Sequence, residues 1–218
     1  MKPYSLNNQE LLGILNGWLE YFLATDRSTF TKKKRSNSSY GKPIDADVVC
    51  SEDYLKYMQK KPQGVPPHGV DGFPEDVWGV DFLNETPSQY QKRLIQLDKD
   101  LCDFFGARNN AVKMYYPKGG YMSWHHNANA SGQNILISWS KDGKGFFRYQ
   151  DPVTKQIVTM NDTPGWTVKA GYYGNWKEPD KIYWHCANAR EEERMTLAYI
   201  IPHDGLWESM MESIEGDF

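Results

Sequence analysis

The sequence is short of cysteine, histidine and net charge, and it holds no long apolar run. Its three cysteines, Cys50, Cys102 and Cys186, are odd in number, widely separated and free of any CxxC pair. That excludes a disulfide framework and a thiolate zinc site, and it fits a reducing cytoplasm. A net charge of -3 over 218 residues argues against a dedicated nucleic-acid binder, whose domain is strongly basic. One local exception is Thr31-Lys32-Lys33-Lys34-Arg35, either a solvated surface loop or an electrostatic contact to phosphate or an acidic partner. The richest apolar stretch, Leu11 to Ala24, is interrupted by Asn16, Gly17 and Glu20, and no small-residue cleavage site follows it. Neither a membrane span nor a signal peptide is expected.

What is present is aromatic: 8 Trp, 14 Tyr and 9 Phe, most of them suited to half-buried strands. The length fits one domain with extensions. Leu11, Leu15, Trp18 and Phe22 share one helical face, and Asn7 with Glu10 makes a capping box. The polar stretch from Arg27 to Asp47 reads as loop, and Ser51 to Lys60 as a short helix. Pro62 to Gly79 carries four prolines and four glycines and reads as irregular, a lid over a site. A second helix is signalled by Thr86, Pro87 and the series Tyr90, Leu94, Leu97, Leu101 and Phe104, with Gly106 ending it. Then the period changes. Eight β-rich runs follow: 111–116, 121–126, 134–140, 145–149, 155–160, 166–173, 181–185 and 194–201, nearly all separated by turn residues. A last short helix spans about 206–214. The pattern predicts a mostly β chain with supporting α, a two-sheet jelly roll or barrel with its N-terminal helices packed on one sheet.

Two of the five histidines stand out. His125 lies on one predicted strand and His185 ends another, and distant strands of a jelly roll face each other across a cavity. Neutral imidazole is the commonest transition-metal ligand, although ordinary packing is the plainer reading of two strand histidines. Asn127 shares the strand face of His125. Arg194 and Thr196 share a face nine and eleven residues beyond His185, a fork and a hydroxyl suited to a buried carboxylate. Tyr116, nine residues before His125, can send its phenol into the same cavity.

Trp124-His125-His126-Asn127, Trp184-His185 and Arg194-Met195-Thr196 together resemble the iron(II)- and 2-oxoglutarate-dependent oxygenases, built on a double-stranded β-helix (cupin-like). Tyr116-Pro117-Lys118-Gly119-Gly120 is similar to the corresponding stretch of prolyl 4-hydroxylases. The run from Gly145 to Pro152 is similar to small oxygenase-like proteins of tailed cyanophages. The resemblance covers about 111–201. It implies that His125 and His185 ligate Fe(II), that Arg194, Thr196 and Tyr116 hold the distal carboxylate of 2-oxoglutarate, and that O2 takes an open metal position. It also implies hydroxylation of a small-molecule or peptide substrate, with a slight preference for a peptide or amino-acid-like one.

The chain departs from that family at Asn127, where a carboxylate ligand belongs. Four readings stay open. Asn127 or a water it orients completes the shell; Asp151 or Asp162 supplies the ligand; halide enters the vacancy, as in halogenating relatives; or the site is degenerate and the fold serves binding without turnover. A β-bulge would exchange His125 with His126 and bring Ala128 to the carboxylate position. The organisation expected is one domain over 1–218: helical and loop support in 1–110 with a lid at 62–80, a jelly-roll core in 111–201 and an extension in 202–218. Oligomeric state is not legible.

Overall fold

The computed structural model of the chain describes residues 1–36, 38–42, 44–61, 74–107, 109–128, 131–201 and 204–216. After β1 (Lys2–Tyr4), the apolar stripe Leu11, Leu15, Trp18 and Phe22 winds into α1 (Gln9–Ala24) with all four side chains buried. Asn8 rather than Asn7 caps it, accepting a hydrogen bond from the Leu11 N–H. The basic run, expected as loop, is a short strand, β2 (Lys33–Ser36). Two small helices follow, α2 (Ala46–Val49) and α3 (Glu52–Lys60), each capped by a side chain, Asp45 and Ser51.

Most of the expected lid, 62–73, lies outside the described residues. Its last part is regular, contrary to expectation: β3 (Asp76–Asp81) crosses the fold with Val77 and Val80 buried. Gly79 there is a packing requirement, because an added Cβ would lie 2.9 Å from Met114 Cε and 3.0 Å from the Tyr115 carbonyl oxygen. The long helix α4 (Ser88–Phe105) starts after Pro87 with no side-chain cap, since the Thr86 hydroxyl donates to the Phe82 carbonyl instead. It ends at left-handed Gly106, φ 59°, and it buries Phe105 while Phe104 is only partly covered.

The remaining strands are β4 (Asn109–Tyr116), β5 (Tyr121–His125), β6 (Gly132–Ser140), β7 (Phe146–Gln150), β8 (Ile157–Asn161), β9 (Gly165–Tyr173), β10 (Trp184–Asn188) and β11 (Arg194–Ile201), followed by α5 (Asp204–Glu215). The strand expected at 181–185 is shifted: Pro179–Lys181 is a 3-10 turn, and β10 starts at Trp184. All described pairings are antiparallel. One sheet has the order β1-β9-β6-β11-β4 and the other β5-β10-β7-β8. β3 joins them, pairing with β4 at Val80 and Asp81 and with β5 at Val77 and Trp78, while β2 pairs with β3. This is a jelly roll.

Helices cover both outer faces, not one. α1, α4 and α5 pack on the first sheet through Leu11, Phe22, Leu94, Leu101, Leu197 and Ile214. α2 and α3 cover β5 and β10, because Tyr121, Trp124 and Trp184 project outward there and meet Tyr54, Leu55 and Met58. A third apolar cluster, Leu136, Phe147, Tyr149, Tyr173 and Ala198, fills the space between the sheets. Among the described residues no helix is long and apolar enough to cross a membrane.

Candidate functional site

β5 and β10 pair with His125 directly opposite His185, then Met122 opposite Ala187. β5 therefore carries one extra residue between these rungs, a bulge at Ser123–Trp124. On a regular strand Met122 and His125 would face opposite ways; with the bulge both line one internal cavity. Counted from Met122, a regular strand would turn His126 inward; the extra residue turns His125 inward instead. His126 points outward, edge-on to Trp176 and Trp184 with centroids 5.0 and 4.6 Å away, and Asn127, not Ala128, reaches the cavity wall.

The His125 and His185 rings lie 4.1 Å apart between centroids. Each is oriented by a local hydrogen bond: His125 Nδ1 lies 2.8 Å from the Ser123 carbonyl oxygen and His185 Nδ1 3.0 Å from that of Tyr183. A carbonyl only accepts, so both Nδ1 atoms carry the proton and both Nε2 atoms keep a free lone pair. Burial pushes His125 down to about 4, with the Ser123 bond opposing. Burial, then the neighbouring His125, holds His185 well below the ordinary histidine range. At neutral pH both rings are uncharged, the form a metal ion requires.

The third donor is weaker. Asn127 is half-buried on the cavity wall and offers a neutral carbonyl oxygen. Among the described residues no group of three His, Cys, Asp or Glu side chains gathers to hold a metal. The two carboxylates considered as substitutes are engaged elsewhere. Asp151 Oδ1 accepts from the Val153 and Thr154 N–H groups in its own turn. Asp162 accepts from Arg194 Nε at 2.7 Å and Lys169 Nζ at 3.1 Å. The donor set His125, His185 and Asn127 thus fits a divalent ion with imidazole and neutral oxygen ligands, and it lacks the anionic ligand that would offset the ion's charge.

Across the cavity stand Tyr116 and Thr196. Arg194, only 1% exposed, holds its guanidinium against them and is bound by its own strand and its neighbours. Its Nη1 donates to Thr196 Oγ1 at 2.5 Å and its Nη2 to Ser138 Oγ at 3.1 Å. Its Cζ sits 5.7 Å from the Tyr116 ring centroid. Burial pushes the Tyr116 phenol up to about 12, against the pull of Arg194, so it is a neutral donor. Glu192 is also buried here, accepting from Ser140 Oγ at 2.7 Å and the Asp142 N–H at 2.6 Å. Arg194 and Lys169 both pair with Asp162, and Glu192 adds a second carboxylate close enough to act on Arg194, so the formal charges of the cluster cancel.

The cavity itself is about 40 Å³, room for roughly three waters, and its other walls are apolar, chiefly Leu136, Phe147 and Ala198. Sequence reasoning missed Tyr173 and Asn134, which also line it, Ser138, which accepts from Arg194, and Lys169, which shares Asp162 with Arg194. Their signal was polar residues at alternate positions of apolar strands: Asn134, Ser138 and Ser140 on β6, Lys169 on β9. His68 and His203 lie outside the described residues.

No protein family matches the sequence, and no curated protein matches it. Among solved structures, a Pseudomonas putida prolyl-4-hydroxylase is similar at 15% identity, covering 86% of this chain and 98% of that one, with a TM-score of 0.33. YcfD, a ribosomal oxygenase from Escherichia coli in complex with cobalt and succinic acid, is similar at 13% identity and a TM-score of 0.34. That match covers 94% of this chain and 55% of YcfD.

Proposed function

We propose that this chain is an iron(II)- and 2-oxoglutarate-dependent oxygenase that hydroxylates a peptide or amino-acid-like substrate. The observation that carries the reading is the His125–His185 pair, with both Nε2 lone pairs free beside Asn127 in a cavity whose far wall is Tyr116 and Thr196. Iron(II), when bound, would supply activation of O2 coupled to oxidative decarboxylation of the cosubstrate. The chain's own residues do the rest. His125 and His185 are held in one tautomer by the carbonyls of residues 123 and 183, so no ring must turn to accept a metal. Asn127 supplies a neutral oxygen and leaves the ion's charge largely uncompensated. Thr196 and Tyr116 donate hydrogen bonds to a carboxylate, and Arg194 braces Thr196. Leu136, Phe147 and Ala198 keep bulk water out.

The test is an anaerobic titration with iron(II) and 2-oxoglutarate, followed by succinate formation on admitting oxygen. Iron-dependent succinate that disappears in His185→Ala supports the reading; no metal binding and no succinate from any variant overturns it. A second reading, a jelly-roll binding protein without turnover, is favoured by the neutral Asn127 and by Arg194 already being balanced by Asp162. It predicts ligand binding without succinate, with turnover appearing in Asn127→Asp. Chloride-dependent binding would instead point to a halogenase-like variant.

A further inference from the structure

The basic run takes no part in the histidine site. As β2 it presents Lys33, Lys34, Arg35 and Ser36, all four exposed, in a chain whose net charge is -3. One side of β2 pairs with β3, and among the described residues no other backbone group pairs with its second side. Lys33 is bound to Glu85 at 2.9 Å. Lys34 Nζ lies 5.3 Å from the Trp78 ring centroid. Lys32, Lys34 and Arg35 have no carboxylate partner among the described residues, and Lys34 is held over the Trp78 and Tyr121 rings.

The position of this strand is as informative as its charge. Directly opposed residues of antiparallel strands share a face. Arg35 opposes Val77, Val77 opposes Met122, Met122 opposes Ala187 and Ala187 opposes Phe147. Met122, Ala187 and Phe147 line the cavity. Arg35 therefore ends the rung that floors the cavity, on the cavity's own face of the sheet.

We propose that the side of β2 away from β3 is a docking edge for an extended acidic peptide segment of another protein, added as one more antiparallel or parallel strand. An unpaired edge offers N–H and C=O groups at alternate residues, which only another backbone satisfies in both senses. Side chains on one face of such a strand recur about every 6.8 Å, so carboxylates at alternate positions of the guest meet Arg35 on the cavity face. Carboxylates on the opposite face meet Lys34. A phosphate backbone could answer the charges but not the donors and acceptors together. Lysines on an edge also deter self-association, but a deterrent edge repels no acidic strand, and the two roles separate by experiment.

The probe is a fluorescent eight-residue peptide alternating Glu with Val, titrated with the full chain without added metal, so that the outcome is independent of the histidine site. Binding that weakens with salt and falls about tenfold in Lys34→Glu/Arg35→Glu is expected. A peptide of the same sequence N-methylated at alternate residues should bind at least tenfold more weakly, because it cannot complete the ladder. Lys34→Gln/Arg35→Gln, with unchanged melting, guards against a folding defect in the reversed variant. No binding of the parent peptide, equal binding by the reversed variant, or equal binding of the methylated peptide overturns the proposal. So does tighter binding of a single-stranded oligonucleotide with the same sensitivity to the reversal, which would assign the edge to nucleic acid.

Discussion

Replacing Asp162 by Asn tests the buried charge cluster beside the cavity. The Asp162 side chain is fully buried, and those of Arg194 and Lys169 are 1% and 4% exposed, so water cannot replace what is lost. The carboxylate accepts from both cations, one on each oxygen. Asparagine keeps the shape and one acceptor but turns its NH2 group toward the other donor, and only Glu192 is left to offset two cations. Removing one partner of a buried pair costs about 3–5 kcal/mol, which for a chain of this size lowers the melting temperature by about 6–20 °C. Guanidinium unfolding followed by tryptophan fluorescence reads it. Combining Asp162→Asn with Arg194→Met removes the stranded charge, so the double variant should lose less than the two single changes added together. Nearby charges and hydrogen bonds lower the Asp162 pKa in the folded state against the opposing effect of burial, with Arg194 the strongest of them. Its contribution is therefore present above the unfolded value near 3.9 and is lost as pH falls through the lower folded value. The gap between parent and variant should be flat from pH 5 to 8 and close only below about 4. A loss under about 1 kcal/mol, or strict additivity, refutes the argument.

Three further outcomes follow from the same structure. Burial depresses His125 and His126 to about 4, and His185 is depressed as well; the unfolded chain takes up these protons first. The metal-free protein should therefore lose stability as pH falls from about 6.5 toward 4, by roughly 3 kcal/mol for His125 alone, read as melting temperature against pH. A His126→Phe variant should blunt that slope without abolishing metal binding, whereas His125→Ala should abolish it by calorimetric titration with cobalt(II). Asn127→Asp should tighten cobalt(II) binding at least tenfold by adding a charged ligand; no change would remove residue 127 from the metal shell. Gly120→Ala should destabilise by about 1–3 kcal/mol in thermal melts, since the new Cβ meets the Pro117 carbonyl oxygen at 2.7 Å and Tyr116 Cβ at 2.9 Å, and neither can retreat.

Periodicity made α1, α4 and strands β4 to β11 legible, β10 with a shifted start, because a stripe or an alternation is a local property of the chain. β3 was hidden for the opposite reason. Its Gly79 reads as a breaker in one dimension, and only the approach of Met114 and Tyr115 shows it to be a fit between strands. α3 was expected at Ser51 to Lys60 and is there, but its place over the second sheet was not, because nothing local says that Tyr121, Trp124 and Trp184 point outward and need covering.

By itself the sequence determined the jelly-roll class and the candidate residues His125, Asn127, His185, Arg194, Thr196 and Tyr116, with an asparagine and not a carboxylate at 127. Tertiary structure alone decided which of these meet. The bulge in β5 aims His125 rather than His126 inward, strand register sets His185 opposite it, and Asp162, 32 residues from Arg194, already answers the guanidinium expected to await a ligand. The physical reason is that facing depends on register and charge balance depends on distance. Both are set when strands far apart in the chain close around a common core.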